Sequence, residues 1–428
     1  MGKQEIRKGV TRREFIKTVG VAGAAAAGGS LWPGKSQAAT RDHILIGFPT
    51  PATGVLADFG ESTAWAHKRA LKEINKNGGI FIKDLGKKLP VKVKLVDTES
   101  DPTKTAELTA RLIMKEKVDL MVVLHTPMIV NPTSAICEKF QVPCIASDCP
   151  VDSWLHGGPY KWAYNFFWEV DQATDVHTGM WNLQEGKTNK IVGCLWPNDP
   201  DGVDAVKTHP LKFDKFGYKL VDVGRFPLGS PDFTSFISTW KKENVEILTG
   251  IIPVPDWIHC WRQCHQQGFI PKIVTMGKAT LFPGAMMALG PDLAHGLTSD
   301  VWWSPHHPFK SSLTGESCRD LADAWTKDTG KYWTQPLGFD YAVFEVAAAA
   351  LKRASSLDKA KIRDAIAKTD LETVAGPIKY NERHFSRTPM CGGQWQKGKE
   401  RPLEMKIIYN KEEPNIPVTG KMVFPLSR

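Results

Sequence analysis

Beyond its first forty residues, the sequence lacks any apolar run long enough to cross a bilayer, which takes about 20 consecutive apolar residues. A strong excess of charge is also missing, because much of the formal net charge of +9 lies near the N-terminus. Residues 1–38 hold seven of the 55 basic and two of the 46 acidic side chains, so the remainder carries 48 and 44, a net charge of +4. A net charge this small does not indicate the basic surface that binds nucleic acid, and we expect no nucleic-acid partner.

Motifs of catalysis are missing too. The sequence contains no nucleophile elbow, no phosphate-binding loop and no spaced metal motif. His306-His307, Ser147-Asp148 and His125 could be cast as acid–base or nucleophilic groups, but no such motif accompanies them. His306-His307 lies between two prolines and fits a polar loop. We therefore expect a binding protein rather than an enzyme, without a cofactor.

The chain has eight cysteines, an even number that permits disulfides in an oxidising compartment without fixing their connectivity. Cys260 and Cys264 are four residues apart on a predicted helix, with His259 and His265 beside them, which invites a metal interpretation. Structural zinc normally needs four ligands converging from two elements. Two buried small residues, or a strained disulfide, are the other interpretations, and we expect no metal site.

The first forty residues have the pattern of a leader that is removed before the protein functions. Thr11-Arg12-Arg13-Glu14-Phe15-Ile16-Lys17 contains paired arginines, and an uncharged run rich in Ala and Gly follows over residues 18–34. Ser36-Gln37-Ala38 supplies the small residues that a signal peptidase needs. The motif resembles the twin-arginine export signal. We predict a signal peptide over residues 1–38, cleaved after Ala38, and a periplasmic mature protein; a retained membrane anchor is the alternative.

Strand and helix signals alternate along the rest of the chain. Apolar runs at residues 43–48, 91–96, 118–124 and 143–146 predict strands, and residues with helical spacing lie between them. The pattern then restarts, with further strands predicted at residues 191–196, 219–226, 246–252 and 272–276. This order implies parallel sheets with helices on both faces. The predicted fold class is α/β, with two doubly wound parallel-sheet lobes.

A family resemblance runs through the mature chain in order. It is carried by Gly47-Phe48-Pro49-Thr50-Pro51-Ala52-Thr53-Gly54, Ala70-Leu71-Lys72-Glu73-Ile74-Asn75-Lys76-Asn77-Gly78-Gly79-Ile80, Val96-Asp97-Thr98-Glu99-Ser100-Asp101-Pro102, Asp232-Phe233-Thr234-Ser235-Phe236 and Val374-Ala375-Gly376-Pro377-Ile378. These segments resemble the leucine/isoleucine/valine-binding type of periplasmic solute-binding proteins of ABC importers.

The resemblance implies two lobes joined by a three-strand hinge, with a ligand in the cleft and lobes that close on it. The crossovers are expected near Phe167, Ser299 and Gly376. The N-terminal lobe would then comprise residues 39–166 plus 300–375, and the C-terminal lobe residues 167–299 plus 376–428. The implied partner is a membrane permease, and we expect a monomer. A ligand-sensing receptor domain of a membrane signalling protein is the alternative from another class.

Ligands of parallel α/β sheets bind at the carboxyl ends of the strands, which predicts the site residues. The first lobe offers Thr53, Phe59, His125, Thr126, Ser147, Asp148 and Cys149. The second lobe offers Trp196, Asp201, Pro253, Trp257 and Lys278, and the crossovers add Trp302 together with Trp168 and Trp303. Tryptophans at these positions predict an aromatic-lined cleft, although each of them fits a lobe core equally well.

The nature of the ligand is left open by the sequence. Amino-acid binders of the resembled family hold the ammonium group with an acidic residue, and that position falls on Lys278-Ala279 here. A lysine facing the cleft favours an aromatic or other organic carboxylate, through a charge-assisted hydrogen bond. Asp148 and Asp201 could instead complete an aromatic cage for a quaternary amine. A branched-chain amino acid or an amide, held differently, is a further alternative.

Overall fold

The computed structural model describes residues 41–426, so the predicted signal peptide and its cleavage site lie outside the described residues. The strands are β1 (Ile44–Thr50), β2 (Ile80–Ile82), β3 (Lys87–Leu89), β4 (Val91–Asp97), β5 (Leu120–Val123), β6 (Cys144–Ser147), β7 (Ala163–Phe167), β8 (Ile191–Pro197), β9 (Lys219–Val221), β10 (Arg225–Phe226), β11 (Ile247–Ile252), β12 (Ile273–Lys278), β13 (Thr298–Val301), β14 (Asp370–Thr373), β15 (Gly376–Lys379), β16 (Phe385–Arg387), β17 (Cys391–Gln396) and β18 (Glu404–Tyr409).

Helices separate most of the strands. They are α1 (Thr63–Asn75), α2 (Pro102–Met114), α3 (Pro127–Phe140), α4 (Val151–Leu155), α5 (Val170–Asn182), α6 (Pro200–Lys215), α7 (Thr234–Lys242), α8 (Val254–Gln266), α9 (Pro283–Leu289), α10 (Pro291–Ala294), α11 (Cys318–Thr329), α12 (Pro336–Ala354) and α13 (Lys359–Ala367). Among the helices described, none has both the length and the apolarity that crossing a membrane requires.

Two large sheets form the framework, as the alternating pattern predicts. The first has the strand order β16-β7-β6-β5-β1-β4, and all of its strand pairs are parallel. In the second, β10, β8, β11, β12 and β13 are parallel neighbours, β9 also pairs with β8, and β17 and β18 add an antiparallel edge. The strand order reverses beside β1 in the first sheet and beside β8 in the second. Ligands bind at such switch points in open α/β sheets.

The chain passes between the two sheets three times. The first passage follows β7, which ends at Phe167, and the second follows β13, which contains Ser299. The third was predicted near Gly376, but Phe385 of β16 pairs with Asn165 of the first sheet, so the chain reaches the second sheet only after Arg387. The lobe boundaries stay a prediction. The proposed division assigns β16 to the C-terminal lobe, whereas this strand pairs in the first sheet.

One predicted strand is interrupted. Residues 219–226 form β9 and β10 instead of a continuous strand, and both pair with β8. The side chain of Asp222 accepts a hydrogen bond from the backbone N–H of Gly224, which has a φ of +104°. This turn, in a conformation that suits glycine, separates the two short strands.

Candidate functional site

A cavity lies where the ends of the two sheets face each other. Polar and aromatic side chains from both sheets converge on it. Its lining comprises Phe59, Thr126, Asp148, Pro150, Phe167, Trp168, Val170, Ala173, His177, Asp201, His209, Ile251, Gly277, Lys278, Leu281, Asp300 and Trp302. Almost all of these residues are buried, so the two halves of the molecule enclose the cavity.

The lining comes from the carboxyl ends of strands in both sheets. Thr126 follows β5 and Asp148 follows β6 on one side, whereas Asp201 follows β8 and Lys278 ends β12 on the other. Parallel strands bring these positions to one edge of each sheet. The cavity therefore occupies the position that the strand order predicts.

Lys278 is a buried cation with two carboxylate partners. Its Nζ lies 2.5 Å from Asp201 Oδ2 and 3.1 Å from Asp199 Oδ2, and all three side chains are at most 7% exposed. Burial opposes the charge of Lys278, but the two carboxylates outweigh this effect and raise its pKa. Burial raises the pKa of Asp201 to about 6, although Lys278 acts against the shift. Lys278 thus lines the cavity as predicted, but two aspartates at the start of α6 already hold its ammonium group, so it is not a free cation.

A second buried ion cluster consists of Asp148, His125 and Asp340. His125 Nδ1 lies 2.9 Å from Asp148 Oδ2, and His125 Nε2 lies 3.3 Å from Asp340 Oδ1. Burial opposes protonation of the imidazole, but Asp340 and Asp148 together raise the pKa of His125 to about 9. Burial raises the pKa of Asp148 to about 6. At neutral pH His125 is therefore an imidazolium that fixes the Asp148 carboxylate at the cavity wall.

Several buried polar atoms of the lining have no partner among the residues described. They are the hydroxyl of Thr126, the indole Nε1 of Trp168 and the ring nitrogens of His177 and His209. A buried polar group without a hydrogen bond costs about 1–3 kcal/mol, so such groups at a cavity indicate the positions of ligand atoms or water. His177 Nε2 lies 3.5 Å from Asp300 Oδ1, which is too long for a hydrogen bond.

The backbone is strained at the same strand ends. His125, Thr126, Asp148 and Lys278 all have positive φ values, between 52° and 77°. Residues other than glycine seldom adopt this region, and each instance costs about 1–3 kcal/mol. Strain of this kind concentrates at functional sites, where the surrounding packing holds it in place.

Six of the thirteen predicted site residues line the cavity, and seven do not. The lining residues are Phe59, Thr126, Asp148, Asp201, Lys278 and Trp302. Those outside the lining are Thr53, His125, Ser147, Cys149, Trp196, Pro253 and Trp257. Thr53 is exposed and bonds to Asp97, whereas the Ser147 hydroxyl donates to the Phe166 carbonyl.

The two predicted tryptophans of the second lobe are core residues. Trp257 is fully buried and stacks on Trp261, with ring centroids 5.2 Å apart and an angle of 14° between the planes. Trp196 packs with Cys194 and Ala205 in a small core cluster. Trp is usually well buried, and these two follow that preference rather than facing a ligand.

Helix α5 supplies lining residues that the sequence did not reveal. Val170, Ala173 and His177 lie on one face of this helix and contact the cavity, and Asp300 of β13 lies in the same lining. The spacing of three and four residues is the one signal that could have identified that face. Trp168, already noted as a crossover residue, completes this part of the wall.

All eight cysteines are buried and unpaired. Cys260 and Cys264 lie on the buried face of α8, which fits the interpretation of two small buried residues and makes a disulfide between them wrong. Within residues 41–426, no group of three or more His, Cys, Asp and Glu side chains could hold a metal ion.

Comparison with known proteins agrees with the fold and the cavity described above. Residues 43–400 match the family model for periplasmic binding protein. The leucine-, isoleucine-, valine-, threonine- and alanine-binding protein of Pseudomonas aeruginosa is 21% identical over 348 residues, which cover 81% of this chain and 88% of that protein.

Solved structures share the fold at low sequence identity. The leucine-binding protein LivK of Thermotoga maritima has a TM-score of 0.72 at 20% identity, covering 86% of this chain and 99% of that chain. An ABC-transporter solute-binding protein of Rhodopseudomonas palustris in complex with 3,4-dihydroxybenzoic acid has a TM-score of 0.68 at 20% identity, covering 90% and 99%. With two mainly parallel sheets, a cavity between them and a family match over most of its length, this chain belongs to the periplasmic binding protein family.

Proposed function

We propose that the protein is the solute-capturing component of an ABC importer. It works in the periplasm as a monomer, holds one small organic solute in the cavity between the two sheets and delivers it to a membrane permease. The proposal assigns the protein a binding role and no catalytic one. It rests on the enclosed cavity, whose lining comes from both sheets and includes polar atoms that have no hydrogen-bond partner in the described part of the chain.

The relatives indicate the size of the solute. The Pseudomonas aeruginosa relative is named for five amino acids, and the Rhodopseudomonas palustris structure contains a dihydroxybenzoic acid. Both are small organic molecules, which supports a solute of the same size class here. The preference for an organic carboxylate, however, depended on Lys278 as a free cation. Because Lys278 is already paired with two aspartates, that preference loses its main support.

Closure of the two halves explains how capture leads to delivery. A solute that contacts both walls binds the closed form better than the open form, and it shifts the population by that difference in affinity. The three passages between the sheets provide the hinge. In the closed form the halves present a joint surface, which we propose the permease recognises.

A thermal-shift screen of the full chain tests the proposal. The panel contains amino acids, amides, carboxylates and amines, and a solute at 100 times its dissociation constant adds roughly 2.7 kcal/mol of stability. Ala173→Phe places a ring in the cavity and is expected to abolish the shift. Ala288→Phe makes the same change at an exposed position of α9 and should retain it. An equal shift in both variants, or no shift with any class, would contradict capture in this cavity.

A further inference from the structure

The cavity wall contains more buried carboxylates than buried cations. Asp148, Asp201 and Asp300 line the cavity and are at most 4% exposed, whereas Lys278 is the one lysine or arginine in the lining. Lys278 is also paired with Asp199, which adds a fourth carboxylate to this wall. The ammonium group therefore neutralises one of the two aspartates that it contacts.

The histidines His125 and His209 do not neutralise the excess negative charge of the cavity wall. The imidazolium of His125 lies between Asp148 and Asp340, so that cluster carries one negative charge. Burial lowers the pKa of His209 to about 3, which makes this imidazole neutral at pH 7. Counting Asp199, Asp201 and Asp300 as carboxylates and Lys278 as an ammonium group, the formal net charge of these groups and the His125 cluster is −3.

His177 changes this result only slightly. If its imidazole were protonated beside Asp300, two negative charges would still be uncompensated. Buried charges are costly unless a charge of opposite sign pairs with them. Among the described residues, no further lysine or arginine of the lining balances these carboxylates, and a group that enters the cavity can supply the opposite charge.

Asp300 is the least satisfied of these carboxylates. No backbone or side-chain group in the described part of the chain donates a hydrogen bond to its side chain, and the one basic side chain within 4 Å is His177, whose Nε2 lies 3.5 Å from Asp300 Oδ1. It lies on β13, immediately before the second passage between the sheets, so it is fixed by the ladder that joins β13 to β17. A cation bound there would contact β13, the strand that precedes the second passage between the sheets.

Aromatic side chains surround the same space. Phe59, Phe167, Trp168 and Trp302 all line the cavity. A cation close to an aromatic face is attracted by the negative face of the ring, and most strongly where both are desolvated. Aromatic rings together with an excess of carboxylates form the combination that organic ammonium groups prefer, whereas an organic anion would be repelled.

We propose that the solute is a small organic cation, whose positively charged nitrogen is held by Asp300 and by the negative potential of Asp148 and Asp201 among the aromatic side chains. This inference rests on the proposed function and names the class of solute. Amines and quaternary ammonium compounds belong to this class, whereas benzoates and other simple carboxylates do not.

Isothermal titration of the full chain with probes of one shape and different charge provides the test. Benzylammonium, benzyl alcohol and benzoate share a ring and differ in charge, and choline is compared with its uncharged carbon analogue. We expect each cation to bind at least tenfold more tightly than its neutral counterpart, and benzoate to bind most weakly. This comparison needs only the unmodified protein.

A charge-removing variant locates the cation. Asp300→Asn is expected to weaken binding of the cations at least tenfold and to leave the neutral probes unchanged. Asp214→Asn removes a carboxylate from an exposed position of α6 and should bind as the unmodified protein does. Circular dichroism establishes that each variant is folded.

The outcomes separate the inference from the proposed function. Tighter binding of benzoate than of benzylammonium would overturn the cation class while leaving solute capture intact. Unchanged cation binding in Asp300→Asn would overturn the role of that residue. If no probe of any charge bound and the thermal-shift panel were also empty, both the inference and the proposed function would be wrong.

Discussion

The ammonium group of Lys278 lies 2.5 Å from Asp201 Oδ2, and both side chains are almost completely buried. Lys278 ends β12 and Asp201 lies in the first turn of α6, so the contact joins two elements of the second sheet's cavity wall. The pair shapes the cavity and consumes the one lysine charge that the lining contains. The role of this pair is therefore structural. Because Lys278 is occupied in this way, the described residues of the lining offer Asp300 no lysine or arginine partner.

Removal of the Lys278 charge should destabilise the protein. Lys278→Met leaves Asp199 and Asp201 buried without a cation, and breaking a buried pair in this way costs about 3–5 kcal/mol. Urea unfolding measures the loss. Lys115→Met, at an exposed position after α2, should change stability by less than about 0.5 kcal/mol. A stable Lys278→Met protein that has lost binding of a carboxylate solute would restore the interpretation of Lys278 as a free anion-binding group.

His125 should make stability depend on pH. Its folded pKa of about 9 lies above the ordinary value of 6.5, so its stabilising effect is complete below pH 6.5 and is lost as the pH rises through 9. Between pH 6.5 and 8.5 the unfolding free energy should fall by about 2–3 kcal/mol more than in His125→Asn. The shifts of Asp148 and Asp201, to about 6, act below this range.

A matched histidine variant isolates this effect. His259 is exposed on α8, and His259→Asn should keep the pH dependence of the unmodified protein. Urea unfolding at both pH values gives the comparison. Identical pH dependence in His125→Asn and in the unmodified protein would show that the buried cluster is not an ion pair.

The tryptophans of the second sheet should behave as core residues. Trp257→Ala and Trp196→Ala each remove a fully buried indole and should cost about 3–5 kcal/mol of stability. Trp168→Phe, in the cavity lining, should preserve stability and weaken solute binding. Denaturation midpoints together with binding titrations distinguish the two groups. A Trp257→Ala protein of unchanged stability that no longer binds solute would reverse this assignment.

The sequence predicted the framework because strand and helix periodicities are local. Apolar runs located most parallel strands of both sheets, although they missed β7, β13 and β16. The strand ends identified Thr126, Asp148, Asp201 and Lys278 as cavity residues. These positions follow from topology alone, since parallel strands share an edge. The two sheets and the position of the cavity could thus be predicted from the sequence.

The sequence could not predict which side chains pair with each other or which face of a helix lines the cavity. The pairing of Lys278 with Asp199 joins residues 79 positions apart, and no local pattern indicates it. Helix α5 is buried on most sides, so it lacks the polar face that gives an amphipathic period. For this reason Ala173 and His177 were missed. Trp257 and Trp302 both follow strands in the second sheet, yet one packs in the core and the other lines the cavity.

Hydrogen exchange with and without solute tests most directly the claim that one solute is held between the two sheets. The solute that gives the largest thermal shift is added to the full chain, and protection of backbone amides is read by mass spectrometry. We expect protection in residues 125–128 and 148–151 from the first sheet, and in residues 277–281 and 299–302 from the second. The hairpin of β2 and β3, far from the lining, should exchange unchanged. Protection confined to one sheet, or to the surface groove around Lys397 and Arg401, would contradict the account.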